Sequence, residues 1–76
     1  MTFYNMLSTL LNTTGSRARR KDWQNSFITR DYNTKTRKVD IMLHMKYSFH
    51  NGYVKTLYMP LNEDLTAEDW EIERED

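Results

Sequence analysis

Cysteine is absent from these 76 residues, and the chain holds only two glycines and one proline. Without thiols there is neither a disulfide framework nor a thiolate metal site, which suits a reducing compartment. Two glycines cannot build the glycine-rich phosphate loop of a Walker or dinucleotide fingerprint. No apolar run approaches membrane-spanning length, and the opening residues lack a basic segment leading into an apolar core. Neither a membrane span nor a signal peptide is therefore expected. Net charge is missing too, because eleven Lys or Arg balance eleven Asp or Glu. A chain of this length is expected to form a single domain over residues 1–76, with 73–76 as a frayed tail. It buries only about 60–65% of the surface its unfolded form exposes, and no staple adds to that margin. Self-association is the expected remedy.

The balance of charge hides an uneven distribution. Residues 1–55 hold ten Lys or Arg and three Asp or Glu, a net of +7, whereas residues 56–76 hold one and eight, a net of −7. Either the two ends of one fold neutralise each other, or a basic anion-binding region lies beside an acidic rim. The first is the simpler reading.

The clearest pattern lies in residues 39–59. Val39, Ile41, Leu43, Met45, Tyr47 and Phe49 alternate with Asp40, Met42, His44, Lys46, Ser48 and His50. Strict period two marks a strand with one buried face. Asn51-Gly52 follows, a pair suited to a two-residue type I′ hairpin turn. That turn would place Met45 opposite Tyr58, Tyr47 opposite Thr56, Phe49 opposite Val54 and His50 opposite Tyr53. One face then carries Leu43, Met45, Tyr47, Phe49, Val54, Thr56 and Tyr58, and the other carries Met42, His44, Lys46, Tyr53, Lys55, Leu57 and Met59. A lone hairpin is marginal in water, so other segments must cover it.

Phe3, Met6, Leu7, Leu10 and Leu11 recur at helical spacing, with Thr2 able to cap the start and Gly15 able to stop the chain from continuing. Residues 16–20 read as a short strand with Ala18 inward, and residues 26–32 as a second, with Phe27 or Ile28 inward. Residues 33–38 are polar and form an exposed loop. Pro60 ends strand pairing. Residues 62–69 suggest a short helical turn, and Thr66 to Asp69 has the spacing of a capping box. Trp70 and Ile72 alternate with Glu71 and Glu73 as a last strand. The expected fold is α+β: an N-terminal amphipathic helix packed on a mainly antiparallel sheet of about four to five strands with a central hairpin.

Signs of catalysis are few. His44 and His50 fall on one strand face but about 20 Å apart, too far to share a metal. Ser8 and Ser16 lack a nucleophile setting. The pairs Glu63-Asp64 and Glu68-Asp69 suit helix-dipole and capping roles better than acid–base work. The chain is therefore not expected to be an enzyme, and no cofactor or metal is called for. The sharpest cluster is Arg17, Arg19, Arg20 and Lys21 followed by Trp23. Guanidinium groups fit phosphates, and an indole offers a face for a base. Its plain alternative is a solvated basic strand end with Trp23 filling the edge of the core. Trp70 reads as core.

Two segments together resemble the Thoeris anti-defence two (Tad2-like) family of small phage proteins. The first is Phe3, Met6-Leu7, Gly15 and Arg17-Ala18-Arg19-Arg20-Lys21-Asp22-Trp23. The second, more specific, is Tyr58-Met59-Pro60, then Asp64-Leu65-Thr66-Ala67-Glu68-Asp69-Trp70-Glu71-Ile72. Met6 stands where the family has alanine, Tyr58 where it has tryptophan, and the glycine usual after Trp23 is absent. The resemblance implies a non-enzymatic sponge in the host cytoplasm. Such a protein sequesters a cyclic nucleotide-like immune signal of the glycocyclic ADP-ribose class and leaves it uncleaved. It also implies a homotetramer with pockets shared between subunits. By matching position, Trp23 is the stacking residue, Arg20 the phosphate ligand, Tyr58 the second aromatic wall and Asp69 the ribose or ordering carboxylate. A relative that inhibits the Cas9 nuclease implies an alternative, a protein-binding inhibitor of a host defence enzyme. A nucleic-acid binder using Arg17 to Lys21, Lys35, Arg37 and Lys38 is a third reading, disfavoured by zero net charge and the acidic end.

Overall fold

A computed structural model describes residues 1–46 and 52–74. Its elements are α1 (Phe3–Asn12), β1 (Ser16–Arg20), β2 (Ser26–Asn33), β3 (Lys38–Lys46), β4 (Tyr53–Leu57), α2 (Asn62–Thr66) and β5 (Trp70–Arg74). The strands form one antiparallel sheet in the order β4-β3-β2-β1-β5. The expected α+β fold is what the chain adopts.

Helix α1 begins where expected: the Thr2 side chain accepts from the Asn5 amide at 3.3 Å, capping an otherwise unpartnered donor. The helix stops at Asn12, and Gly15 takes a left-handed φ of 76° in the turn that launches β1. Phe3, Met6 and Leu10 lie one turn apart on one side of α1 and bury against Ala18, Ile28 and Trp70. Among the described residues these six are the buried apolar core. Each fully buried large side chain among them contributes about 1.5–3 kcal/mol.

Alternation sorts the strands onto two faces. Ala18 pairs with Ile28 on one side and Ile72 on the other, and Ile28 pairs with Leu43. This row lies under α1, so Ile28, not Phe27, is the inward residue of β2. Phe27 stands on the uncovered face, stacked on His44 at 4.6 Å. Around them Arg17 sits over the Phe27 ring, and Lys55 pairs with Asp31, which holds the Asp31 carboxyl below the usual range.

Three expectations change. The β3–β4 ladder pairs Met45 with Val54 and Lys46 with Tyr53, so Met45 does not face Tyr58, and Thr56 faces Leu43, not Tyr47. Among the described residues the ladder runs from Met42 opposite Leu57 to Lys46 opposite Tyr53. The expectations for Tyr47, Ser48, Phe49, His50 and Asn51, the Asn51-Gly52 turn among them, fall outside the described residues. The register differs by four, an even number, so the paired residues Met42–Lys46 and Tyr53–Leu57 keep their expected faces. The capping spacing of Thr66 to Asp69 is not used, because Thr66 ends α2 and its hydroxyl donates back to the Asn62 carbonyl at 3.2 Å. The acidic end is ordered further than expected: Glu73 and Arg74 continue β5 opposite Arg17 and Ser16.

After the β1–β4 meander, residues 58–69 cross back from one edge of the sheet to the other. They carry α2 past α1 and deliver β5 beside β1. This crossing builds the corner described next.

Candidate functional site

Arg20 closes β1 on the α1 side, opposite Trp70 of β5. The chain then turns, with the Trp23 amide donating to the Arg20 carbonyl at 3.0 Å, which brings the indole back over the sheet end. Tyr58 arrives from the far edge, held to β3 by its amide on the Ile41 carbonyl at 2.9 Å. Asp69 precedes β5, and its carbonyl accepts from the Lys21 amide at 3.2 Å. Arg20, Trp23, Tyr58 and Asp69, though spread over fifty residues of sequence, thus meet at one end of the sheet.

Their contacts are specific. Arg20 Nε donates to Asp69 Oδ1 at 3.0 Å, and Arg20 Nη1 donates to Asp64 Oδ1 at 3.4 Å. The Tyr58 hydroxyl donates to Asp64 Oδ2 at 2.9 Å. Trp23 meets Trp70 edge to face at 5.1 Å and Tyr58 at 6.3 Å, both within the range of favourable aromatic pairs. The Trp70 indole is 2% exposed and donates to the Asp64 carbonyl at 3.0 Å, so Trp70 belongs to the core. Trp23 remains half-buried at the rim.

Electrostatics follow from these pairs. The Asp69 hydrogen bond raises the Arg20 pKa, and the same contact holds the Asp69 carboxyl below the usual range. Burial, and then the Asp64 carboxylate, push the Tyr58 phenol well above its ordinary value, so it stays protonated at neutral pH. Arg20 is accordingly already in contact with two carboxylates. An incoming phosphate would share this cation or displace Asp69, the more exposed of the two partners.

Sequence reasoning missed Asp64, which touches two of the four candidates directly. The spacing held a clue: Asp64 is the third residue after Leu61, where an acid reaches back to the helix-start amide. It does so, accepting from Leu61 N–H at 3.1 Å. The basic cluster, by contrast, is largely neutralised. Arg17 and Arg19 pair with Glu73 at 3.3 and 3.1 Å, and Glu71 lies 3.9 Å from Arg19. Arg17, Arg19 and Arg20 thus each meet carboxylates from the acidic end of the chain, which accords with the simpler reading of the uneven charge. Two concavities of about 200 Å³ lie elsewhere, on the uncovered face. One is lined by Arg17, Phe27 and Tyr53, the other by Asp31, Asp40 and Lys55. Among the described residues no cluster of three or more His, Asp or Glu could hold a metal ion, and no helix is long and apolar enough to cross a membrane.

A short α1, a five-stranded antiparallel sheet and an aromatic corner tied by a buried carboxylate define a small α+β domain. Residues 1–73 match the model of the Thoeris anti-defense 2-like (Tad2-like) domain, and the chain belongs to that family. Membership implies a role against Thoeris defence. No curated protein and no solved structure matches the chain significantly.

Proposed function

We propose that the protein is an anti-defence sponge. It binds a cyclic nucleotide-like signal of the glycocyclic ADP-ribose class in the host cytoplasm and withholds it without cleaving it. Family membership over nearly the whole chain carries this reading. The meeting of Trp23, Tyr58, Arg20 and Asp69 supports it. Trp23 would stack the base, Tyr58 wall the other side, Arg20 face the phosphates and Asp69 order the ribose or the guanidinium. A homotetramer with pockets shared between subunits belongs to the same reading, as the family resemblance implies.

Effective sequestration needs nanomolar affinity, on the order of −12 kcal/mol. A stacked base supplies about 1–3 kcal/mol, so charge-assisted bonds and a rigid corner must supply the rest. Calorimetric titration with glycocyclic ADP-ribose isomers, ADP-ribose and cyclic di- and trinucleotides tests this. Nanomolar binding of one class, with the ligand recovered intact after denaturation, is expected. Trp23→Ala should weaken that binding by about 10–100-fold while the circular dichroism spectrum and assembly are retained. Silence across the panel would overturn the reading. It would direct attention to a protein-binding inhibitor of a host defence enzyme, for which β4 supplies an edge strand exposed along its whole length.

A further inference from the structure

We propose, resting on the sequestration reading above, that Asp64 is the positioning residue of the corner. It touches no ligand and sets the orientation of Arg20 and the hydrogen-bond polarity of Tyr58.

A helix cap alone would require only the bond from Leu61 N–H to Oδ2. Glu63, the acid beside it, is exposed and serves the helix start without burial. Asp64 is 4% exposed and receives two further donors from outside its helix, one on each oxygen: Arg20 Nη1 on Oδ1 and the Tyr58 hydroxyl on Oδ2. Burying a carboxylate is costly, and several donors converging on it are what make it tolerable. The two side chains it joins arrive from β1 and from beyond β4, on opposite sides of the sheet. No backbone ladder could align them with one another. The carboxylate does.

The chemical consequence concerns what the corner can recognise. A phenol has one hydrogen, and Tyr58 gives it to Asp64, so toward a ligand its oxygen can only accept. It therefore selects a hydroxyl or amino group and disfavours a carbonyl or phosphate oxygen. Arg20 has Nε committed to Asp69 and Nη1 to Asp64, while Nη2 has no partner among the described residues. Nη2 is the part of the fork left to meet an anion. Phosphate and donor groups of one ligand are thereby read by two neighbours of the same carboxylate.

The test uses the full isotope-labelled chain as parent, Asp64→Asn, Tyr58→Phe and Arg20→Lys. In the parent, NMR should show the Tyr58 hydroxyl proton and restrained Arg20 Nη protons, and both signatures should be lost in Asp64→Asn. For the tightest-binding panel member, Asp64→Asn should weaken affinity about 10–100-fold in the parent and less than about threefold in Arg20→Lys or Tyr58→Phe. Retention of both NMR signatures in Asp64→Asn, or fully additive losses, would overturn the assignment. If no panel member binds, the sequestration reading falls while the NMR result alone decides Asp64. If Asp64→Asn does not fold, Tyr58→Phe and Arg20→Lys decide through urea unfolding of the double variant. Non-additive effects are expected from a shared carboxylate, and additivity would overturn it.

Discussion

Arg19 and Arg20 are neighbours in sequence and lie on opposite faces of the sheet. Arg19 joins Arg17 on the uncovered face, where Glu71 and Glu73 stand across the β1–β5 ladder and every partner is roughly 36–48% exposed. Arg20 turns toward α1 and meets Asp64, whose side chain is 6% exposed. The residue types are the same and the surroundings are not. Exposed pairs are screened by water and contribute about 0–1 kcal/mol. A carboxylate removed from water cannot lose its partners so cheaply, because the desolvation cost remains when the partner is gone. Strand alternation alone thus assigns one arginine to exposed ion pairs and the next to a buried carboxylate.

The largest effect should come from the buried side of this comparison. Asp64→Ala strands the Tyr58 hydroxyl, the Leu61 amide and one arm of Arg20 at once. A loss of about 3 kcal/mol is expected, the low end for a broken buried pair because Arg20 keeps Asp69 and some solvent. In a domain of this size that lowers the melting temperature on the order of 10–20 °C. Urea unfolding of Asp64→Ala and Glu73→Ala side by side measures the contrast. Equal losses would break it.

Asp69 lies between the two regimes, half-exposed yet bonded to the inner arginine. Its folded pKa is depressed, chiefly by the Arg20 hydrogen bond, relative to an unfolded value near about 3.9. A depressed carboxyl contributes stability that is fully present above the unfolded pKa and is lost as pH falls through the folded one. Stability should therefore decline below about pH 4 in the parent, and Asp69→Asn should remove part of that acid limb while leaving neutral pH less affected. Equal acid limbs in parent and Asp69→Asn would show that the Arg20–Asp69 pair behaves like the exposed ones.

Much of the frame was legible because it is local. Phe3, Met6 and Leu10 declare the helix, the alternation around Leu43 declares the central strand, and both periodicities depend on near neighbours. One of the two readings of the uneven charge had the two ends neutralising each other, and the β1–β5 pairing brings them together. Asn51-Gly52 misled the register because turn chemistry is only one vote, and the ladder sets Lys46, not His50, opposite Tyr53. Asp64 was hidden for a different reason. At a helix start an acid has a sufficient local explanation, and nothing within several residues reveals that Tyr58 and Arg20 will converge on it. The four candidates Arg20, Trp23, Tyr58 and Asp69 came from resemblance, and their convergence depends on the crossing segment, a feature no periodicity encodes.

The smallest effect belongs to the open face. Glu73 accepts from Arg17 and faces Arg19, so Glu73→Gln removes one charge from two pairs at a stroke. With all three side chains more than a third exposed, water replaces the lost partner, and the expected change is under about 1 kcal/mol. Exposed Coulomb attraction is also screened: the Debye length falls from about 10 Å at 0.1 M to about 3 Å at 1 M. The small deficit of Glu73→Gln should therefore vanish in concentrated salt, while that of Asp64→Ala should persist, because it comes from unsatisfied buried donors and not from long-range charge. Urea unfolding of both variants at low and high ionic strength separates the two causes. A Glu73→Gln deficit that survives salt would mean the Arg17–Glu73–Arg19 ladder is held as rigidly as the corner around Asp64, and that the face of the strand matters less than the network it joins.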